Sequence, residues 1–364
     1  MKKNLKIVTR ESPLAMQQTQ QVIQALKNFW PNLEIEVLPI VTTGDRFLDK
    51  KLITIGGKGL FVKELEDALL QNRADLAVHS MKDVPSTLPD SLHIACICAR
   101  ENPFDAWVST QYDWEKLPLG SIIGTSSLRR QSQLLRLRPD LIVKPLRGNI
   151  QTRLKKLETE SFDGIVLAAA GLMRMGLNQR IRQIFSTEQM LPACGQGALA
   201  LECRENDTEL QALLKPLHDP DTALCVQIER EINLALGGNC HVPVAIYAHL
   251  EPQYRTDGES ACNNAEDSSA TLTDAQQSDF QRGASERDKG VYSQYMTDGE
   301  KACNNAEDSS AKRIHVRARV LNPDGSTCIE ANSIGTPEQA PLLTQTMIDQ
   351  LFAQGAQALL ACKA

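Results

Sequence analysis

The chain has 364 residues, of which 42% are hydrophobic and 23% charged, and its formal net charge is −6 at pH 7. This length predicts two or three domains, and the composition is that of an ordinary globular protein. The net negative charge argues against general nucleic-acid binding, although it leaves room for a local basic cleft.

Strand-like and helix-like segments alternate along the first two hundred residues. Apolar residues with helical spacing predict three helices in this part of the chain. They lie at Pro13–Asn28, with Ser12 as the expected N-cap, at Phe61–Leu69, and from the hydroxyl cluster 125–127 to Leu137. This alternation predicts an α/β fold with mostly parallel sheets and helices on both faces. The apolar runs typical of strands are Leu5–Thr9, Leu33–Val41, Ala74–Val78, Ser121–Gly124, Leu141–Pro145 and Gly164–Ala168.

The pattern predicts two α/β lobes followed by a smaller α+β domain. A return strand at Gln196–Arg204 would carry the chain back to the first lobe. After Asp219-Pro220, a helix at Thr222–Leu236, further strands and an amphipathic helix near Ala340–Gln354 predict the third domain. The expected domains are 1–99 with 197–217, 103–193, and 220–364.

A near-identical repeat interrupts the third domain. Residues 253–270 recur at 294–311, and both copies are rich in Ser, Asp, Asn and Glu. Two copies are too few for a solenoid, and this composition buries too little apolar surface to offset the entropy of ordering. We therefore expect a disordered insertion at about 252–312. It would lie in the loop of a hairpin between Ala245–Leu250 and Arg313–Leu321, where insertions are tolerated.

The sequence also predicts a cellular compartment. The basic N-terminus lacks the apolar stretch of a secretion signal, and the longest apolar run, Gly164–Met173, is too short to span a bilayer. The ten cysteines are irregularly spaced, so reduced thiols are expected. These features indicate a cytoplasmic protein that binds neither membranes nor nucleic acid.

The most informative stretch is the polar cluster at the end of the strand Ala74–Val78. Ser80, Lys82 and Asp83 follow this strand, and Pro85 stops the regular structure. Ligands of open α/β sheets bind beyond the carboxyl ends of the strands. A carboxylate beside an ammonium group there could stabilise a developing positive charge or move a proton. Taken alone, the stretch fits a solvated ion pair in a surface turn slightly better.

Basic side chains recur at other strand ends and helix starts. The N-terminus of a helix favours anions, as at Thr125 and Ser127, and guanidinium groups suit carboxylates and phosphates. One surface arginine is usually only solvated, but together these residues predict a cationic cleft for a ligand with several negative charges. The basic positions are Arg10, Lys58, Arg129, Arg130, Arg147, Arg153 and Arg174.

Cys240 lies in the glycine-rich stretch LGGNCHVP at 236–243. A cysteine in such a loop could be a nucleophile or a covalent attachment point, although a small buried apolar residue is the commoner role. His241 is not expected to activate it, because adjacent side chains on an extended chain point apart.

These motifs, in this order, closely resemble those of the porphobilinogen deaminase (hydroxymethylbilane synthase) family. The resemblance covers about residues 5–250 and resumes near 313, outside the repeat insertion. The matching motifs are TRESPLA (9–15), GGKGLFVKELE (56–66), AVHSMKDVP (77–85), GTSSLRRQ (124–131), LRGN (146–149), LPACGQGA (191–198) and GGNCHVP (237–243).

The resemblance implies a fold, a cofactor and a reaction. It implies two lobes like those of periplasmic binding proteins, a third domain whose Cys240 holds a dipyrromethane cofactor through a thioether, and Asp83 as the catalytic residue. Four porphobilinogen molecules would condense head to tail on that cofactor with release of ammonia, and hydrolysis would then free the linear tetrapyrrole hydroxymethylbilane for haem biosynthesis. A monomer without a metal is implied. The implied cofactor contacts are Lys82, Ser80, Thr125, Ser127, Arg129, Arg130, Arg147 and Lys58, and the substrate contacts are Arg10, Ser12, Arg153 and Arg174.

Two positions depart from the family pattern, and two other functions compete with it. Asn239 replaces a usual glycine, but asparagine tolerates the left-handed backbone; Thr54 replaces the lysine of some members, which should weaken one carboxylate contact.

A two-lobed anion-binding protein or effector-sensing domain would not need the Lys82-Asp83 pair together with a loop cysteine. A different cysteine-nucleophile transferase would have a rapidly alkylated thiolate at Cys240.

Overall fold

The computed structural model of the chain describes residues 2–46, 61–237, 242–252 and 312–361. These residues alternate strands and helices as the sequence predicts. The strands are β1 Asn4–Arg10, β2 Glu34–Ile40, β3 Leu76–Ser80, β4 Leu92–Ile97, β5 Asp105–Val108, β6 Ile122–Gly124, β7 Ile142–Lys144, β8 Gly164–Ala168, β9 Gln183–Ile184, β10 Leu199–Arg204, β11 Val244–Pro252, β12 Lys312–Leu321 and β13 Cys328–Gly335. The helices are α1 Pro13–Phe29, α2 Thr43–Arg46, α3 Lys63–Leu70, α4 Leu128–Leu137, α5 Ile150–Thr159, α6 Ala169–Arg174, α7 Thr208–Leu214, α8 Pro220–Ala235, α9 Ala340–Ala353 and α10 Ala356–Ala361.

The first sheet has the strand order β2-β1-β3-β10-β4. β1 pairs in parallel with β2 and β3, whereas β10 is antiparallel to both β3 and β4, so four of the five strands run in one direction. Leu5, Ile7 and Leu26 are fully buried where α1 packs on this sheet. Pro39 lies in β2, an edge strand, where a missing backbone N–H is tolerated.

The second sheet repeats this arrangement with the order β7-β6-β8-β5-β9. Its reversed strand is β5, which is antiparallel to β8 and β9 and occupies the place that β10 takes in the first sheet. Trp107 and Phe185 both pack edge to face against Trp114, with ring centroids 5.4 and 5.1 Å away. This aromatic cluster forms one side of the core of the second sheet.

The third sheet is small, with the order β11-β12-β13, and packs against α8 and α9. Ile232, Val316 and Met347 are fully buried between them. The fold is therefore α/β with two mostly parallel sheets plus a smaller α+β part, as predicted. Residues Pro252–Lys312 form a separate unit, which lies outside the described residues except for its two end residues.

The predicted return strand begins at Leu199 rather than at residue 196. Gly195 and Gly197 before it have positive φ angles of 68° and 94°, so they form a turn and not a strand. A Cβ atom at Gly197 would lie 2.5 Å from the carbonyl oxygen of Glu101, which only glycine avoids. This turn brings Gln196 against the start of the second sheet.

Glu229 of α8 is hydrogen-bonded to three other segments of the chain. Its fully buried carboxylate accepts hydrogen bonds from Arg100 Nη1 at 2.7 Å and from the backbone N–H groups of Gly195 and Ala248, at 2.6 and 2.9 Å. These donors lie after β4, before β10 and in β11, respectively.

None of the described helices is long and apolar enough to cross a membrane.

Candidate active site

The end of β3 presents the predicted pair of charged residues. β3 stops at Ser80, and a single 3₁₀ turn, Met81–Asp83, carries Lys82 and Asp83 beyond the sheet. Met81 is buried and anchors the turn, while Ser80 exchanges hydrogen bonds of 2.8 and 3.2 Å with the amide of Gln18 on α1. The Asp83 carboxylate is exposed, so it is held on a fixed turn yet open to a ligand.

Lys82 connects this turn to the second sheet through Gln196. Lys82 Nζ donates to Gln196 Oε1 at 3.3 Å, and Gln196 Nε2 donates to Asp105 Oδ1 at 3.0 Å. Burial and the nearby Arg130 guanidinium lower the pKa of Lys82 to about 8, although Asp83 and Asp105 act in the opposite direction. Lys82 is therefore a cation that lies among other cations.

Asp105, the first residue of β5, holds the two arginines at the start of α4. Arg129 Nη1 donates to Asp105 Oδ2 at 2.7 Å, and Arg130 Nη2 donates to Oδ1 at 2.7 Å. Burial disfavours the charged Asp105, but the two guanidinium groups outweigh it and hold the pKa of its carboxyl well below the usual range. Arg129 also donates to the carbonyl of Leu191, and Arg130 to that of Val166. Both predicted ligand arginines thus have internal partners that the sequence did not indicate.

Hydroxyl groups shape the start of α4. The Ser127 side chain caps the helix by accepting from the backbone N–H of Arg130 at 3.4 Å, and the backbone N–H of Ser127 donates to Thr125 Oγ1 at 3.2 Å. Thr125 is buried. These bonds fix the N-terminal turn of a helix, which favours negative charge.

Arg153 on α5 lies near the same cations. Its Nε donates to the carbonyl of Gly148 at 2.8 Å. Burial, Arg130 and Arg147 lower the pKa of Arg153 to about 10, and only Asp83 opposes them. The structure therefore brings Lys82, Asp83, Arg130, Arg147 and Arg153 within electrostatic reach of one another.

Three other predicted residues have hydrogen-bond or ion-pair partners within the protein. Arg10 forms a two-pronged ion pair with Asp45, at 3.2 and 2.5 Å, and lies 4.3 Å from the centroid of the Phe61 ring. Ser12 caps α1. Arg174 is buried, donates to the carbonyl of Gly197 at 2.8 Å and pairs with Glu101 at 3.0 Å.

Comparisons with known proteins identify the family. Residues 5–212 match the family model described as "Porphobilinogen deaminase, dipyromethane cofactor binding domain". The chain is 45% identical to the porphobilinogen deaminase of Legionella pneumophila strain Paris and 46% identical to that of strain Lens. Each alignment spans 360 residues, 99% of this chain and 98% of the relative. The chain belongs to the porphobilinogen deaminase family.

Solved structures of binding proteins also resemble parts of this deaminase family member. The methionine-binding protein MetQ is 15% identical over 60% of this chain and 91% of its own, with a TM-score of 0.39. The aliphatic sulphonate binding protein SsuA from Escherichia coli is 12% identical over 64% and 70% of the two chains, with a TM-score of 0.37.

The described residues of this family member fit a dipyrromethane group. Two linked pyrroles, each with an acetate and a propionate, would bring several carboxylates to one place. Arg130 contributes to the lowered pKa of both Lys82 and Arg153, so these three cations lie close together. The nearby carboxylate of Asp105 is already shared by two arginines. A polyanionic group would relieve this surplus of positive charge.

Sequence reasoning missed two residues that organise this site in the deaminase family member, Asp105 and Gln196. Gln196 lies within the family motif LPACGQGA, so the motif marked its position, but the motif did not indicate that Gln196 connects Lys82 to Asp105. Asp105 begins a strand of only four residues, and nothing nearby in sequence marks it as a partner of arginines. The predicted contacts Lys58 and Cys240, and the departures Thr54 and Asn239, lie outside the described residues.

Proposed function

We propose that this chain joins four porphobilinogen molecules into hydroxymethylbilane, with release of ammonia, on a dipyrromethane attached to Cys240. The observation that carries the proposal is the exposed Asp83 carboxylate at the edge of a crowded group of cations that includes Lys82, Arg130 and Arg153. A bound dipyrromethane supplies a pyrrole carbon from which the chain of rings is extended.

Asp83 is the catalytic residue in this proposal. Loss of ammonia from the aminomethyl group leaves positive charge on the substrate pyrrole. A carboxylate fixed on the turn after β3 stabilises that charge and accepts the proton that must leave when rings are joined. Because its own side chain is exposed, Asp83 can reach the substrate without moving the core.

The cations divide into two roles. The cations Lys82, Arg147 and Arg153 bind acetate and propionate groups. The Ser80 hydroxyl and the helix start at Thr125 and Ser127 add hydrogen bonds to the same groups. Arg129 and Arg130 also remain proposed cofactor contacts. Their ion pairs with Asp105 orient this helix start, and Arg130 adds positive charge to the site. Additional substrate and cofactor contacts are proposed for Arg10, Ser12, Arg174 and Lys58.

The domain organisation and cellular setting belong to the same proposal. The domains are 1–99 with 197–217, 103–193, and 220–364, and the first two enclose the site. The protein acts as a monomer in the cytoplasm, which light scattering and cell fractionation would check, and binds neither nucleic acid nor membranes.

Substitution of Asp83 tests the catalytic role. Asp83→Asn should lower kcat by at least about 100-fold, the usual scale for general acid–base residues, and should leave the cofactor attached. Asp90→Asn is the matched control, because Asp90 is an exposed aspartate seven residues further on. Near-normal turnover in Asp83→Asn would remove Asp83 from the mechanism.

The mass of the denatured protein tests the attachment site. An added mass of two linked pyrroles on the peptide that contains Cys240, absent from Cys240→Ser, supports the deaminase. A chain that acquires no adduct after incubation with porphobilinogen, although it is folded, would favour a two-lobed anion-binding protein instead.

A further inference from the structure

A cluster of two histidines and a glutamate lies on the third sheet. His249 and Glu251 are two residues apart on β11, so their side chains lie on one face, and His315 is on the neighbouring strand β12. His249 Nε2 lies 2.9 Å from Glu251 Oε1, and His315 Nε2 lies 3.3 Å from Glu251 Oε2. The Glu251 carboxylate thus lies between two imidazoles.

We propose that His249, Glu251 and His315 bind a divalent transition-metal ion of the Zn²⁺ type. One ligand atom from each residue lies within 4.8 Å of the other two. Tetrahedral zinc with bonds of about 2.0–2.1 Å requires its ligand atoms to be about 3.3 Å apart. Because the ligand atoms of the cluster are up to 4.8 Å apart, an ion would have to draw the most widely spaced of them closer together. Two imidazoles and a carboxylate are typical zinc ligands, whereas Mg²⁺ and Ca²⁺ prefer oxygen.

Aromatic stacking orients the imidazoles before any ion arrives. The His249 ring stacks between Tyr247 and His315, with centroid distances of 5.1 Å on both sides and interplanar angles of 12° and 24°. Tyr247 is itself buried, and Arg100 lies 5.1 Å from its ring centroid. The histidine rings therefore have a fixed support.

The surroundings predict an open site of moderate affinity. Glu251 is exposed, so an ion can enter from solvent, and three protein ligands leave a fourth position for water. His249 Nδ1 has no hydrogen-bond partner among the described residues. Because an outer partner of a ligating imidazole raises affinity by about 10–100-fold, a site without one should bind its ion more weakly by that factor.

The cluster lies on a different sheet from the turn that carries Asp83, and an ion bound there would have its own consequence. It lies on the third sheet, whereas Asp83 follows a strand of the first sheet. Its ligands come from the two strands that flank residues 253–311 along the chain. An ion held by both strands would stabilise the folded third sheet, because binding to the folded state alone shifts unfolding.

Calorimetric titration with Zn²⁺ tests the proposal on the full chain with its cofactor, under reducing conditions. Cysteines provide background binding, so the decisive quantity is the difference between variants. The double variant His249→Ala/His315→Ala should lose one equivalent of bound zinc, and Glu251→Gln should bind that equivalent at least about tenfold more weakly. His93→Gln, which removes an imidazole from β4, is the matched control and should bind like the unmodified chain.

Activity and thermal unfolding decide the interpretation. All variants should keep the deaminase activity of the unmodified chain, and Zn²⁺ should raise the Tm of the unmodified chain but not of the double variant. Identical zinc isotherms in the double variant and the unmodified chain would overturn the proposal, as would equal losses in His93→Gln. If the double variant does not fold, Glu251→Gln alone decides: unchanged zinc affinity in that variant refutes the site.

Discussion

Replacement of Asp105 by asparagine should destabilise the protein by about 3–5 kcal/mol. The Asp105 carboxylate has no exposed surface and accepts from Arg129 Nη1 on Oδ2, and from Arg130 Nε and Nη2 and Gln196 Nε2 on Oδ1. Asparagine keeps the shape but offers only one oxygen. In either orientation its NH₂ group faces guanidinium donors, and two buried positive charges lose their counter-charge. This loss is large against a total stability of about 5–15 kcal/mol.

Urea unfolding followed by tryptophan fluorescence would measure this effect. Trp107 lies on the same strand as Asp105 and is fully buried, so its emission reports on the affected sheet. Asp113→Asn is the matched control, because Asp113 pairs with Lys116 and Arg182 at the surface and should matter little. A loss below about 1 kcal/mol, the usual scale of an exposed pair, would refute the reasoning.

The same pair of proteins should differ in pH dependence. The pKa of Asp105 is lowered in the folded state, so its contribution is fully present above the pKa of an unfolded aspartate, about 3.9. It is lost as the pH falls towards the lower folded pKa. The stability gap between the unmodified protein and Asp105→Asn should therefore be constant from pH 5 to 7 and shrink in acid. A gap that widens below pH 4 would contradict the assignment.

Three further perturbations test other parts of the structure. Because burial and Arg130 lower the pKa of Lys82 to about 8 while no cofactor carboxylate is bound, its charge is lost above that pH, and the KM for porphobilinogen in adduct formation by the cofactor-free chain should rise between pH 7 and 9. Lys82→Arg stays charged and should remove this rise; the same rise in that variant would exclude Lys82 as its source. Glu229→Gln should lower the urea midpoint of unfolding, because the fully buried carboxylate accepts hydrogen bonds from donors on three segments. The control Glu231→Gln, at an exposed position of the same helix, should leave the midpoint unchanged. Equal midpoints in the two variants would contradict a stabilising role of Glu229. A short Gly/Asn turn in place of residues 253–311 should preserve kcat and KM, since β11 and β12 are neighbours in one sheet; lost activity in a folded variant would show that the segment serves the reaction.

The sequence predicted the fold because its signals are local. Alternating apolar runs marked the strands, and Ser12 before Pro13 marked the start of α1, which the structure confirms. The polar residues after β3 were likewise readable because they follow one another in the chain. Each of these features needs only a few consecutive residues to be recognised.

The internal organisation of the site depends on contacts that are distant in sequence. Asp105 meets Arg129 and Arg130 across 24 and 25 residues, and Gln196 across 91. A short motif predicts that an arginine is present, but not whether its guanidinium faces a ligand or a buried carboxylate. Arg10 shows the same limit, because its partner Asp45 lies 35 residues away on a different element.

The position of β10 has a consequence for synthesis on the ribosome. β10 lies between β3 and β4 in the first sheet, yet it is made only after every strand of the second sheet. At about 5–20 residues per second, the stretch from Ile97 to Leu199 takes about 5–20 s to translate. During that time β3 and β4 both present unpaired edges, the kind of surface that aggregates or recruits chaperones. The first sheet can therefore be completed only after the second sheet has been synthesised, so the last steps in the folding of the two sheets coincide.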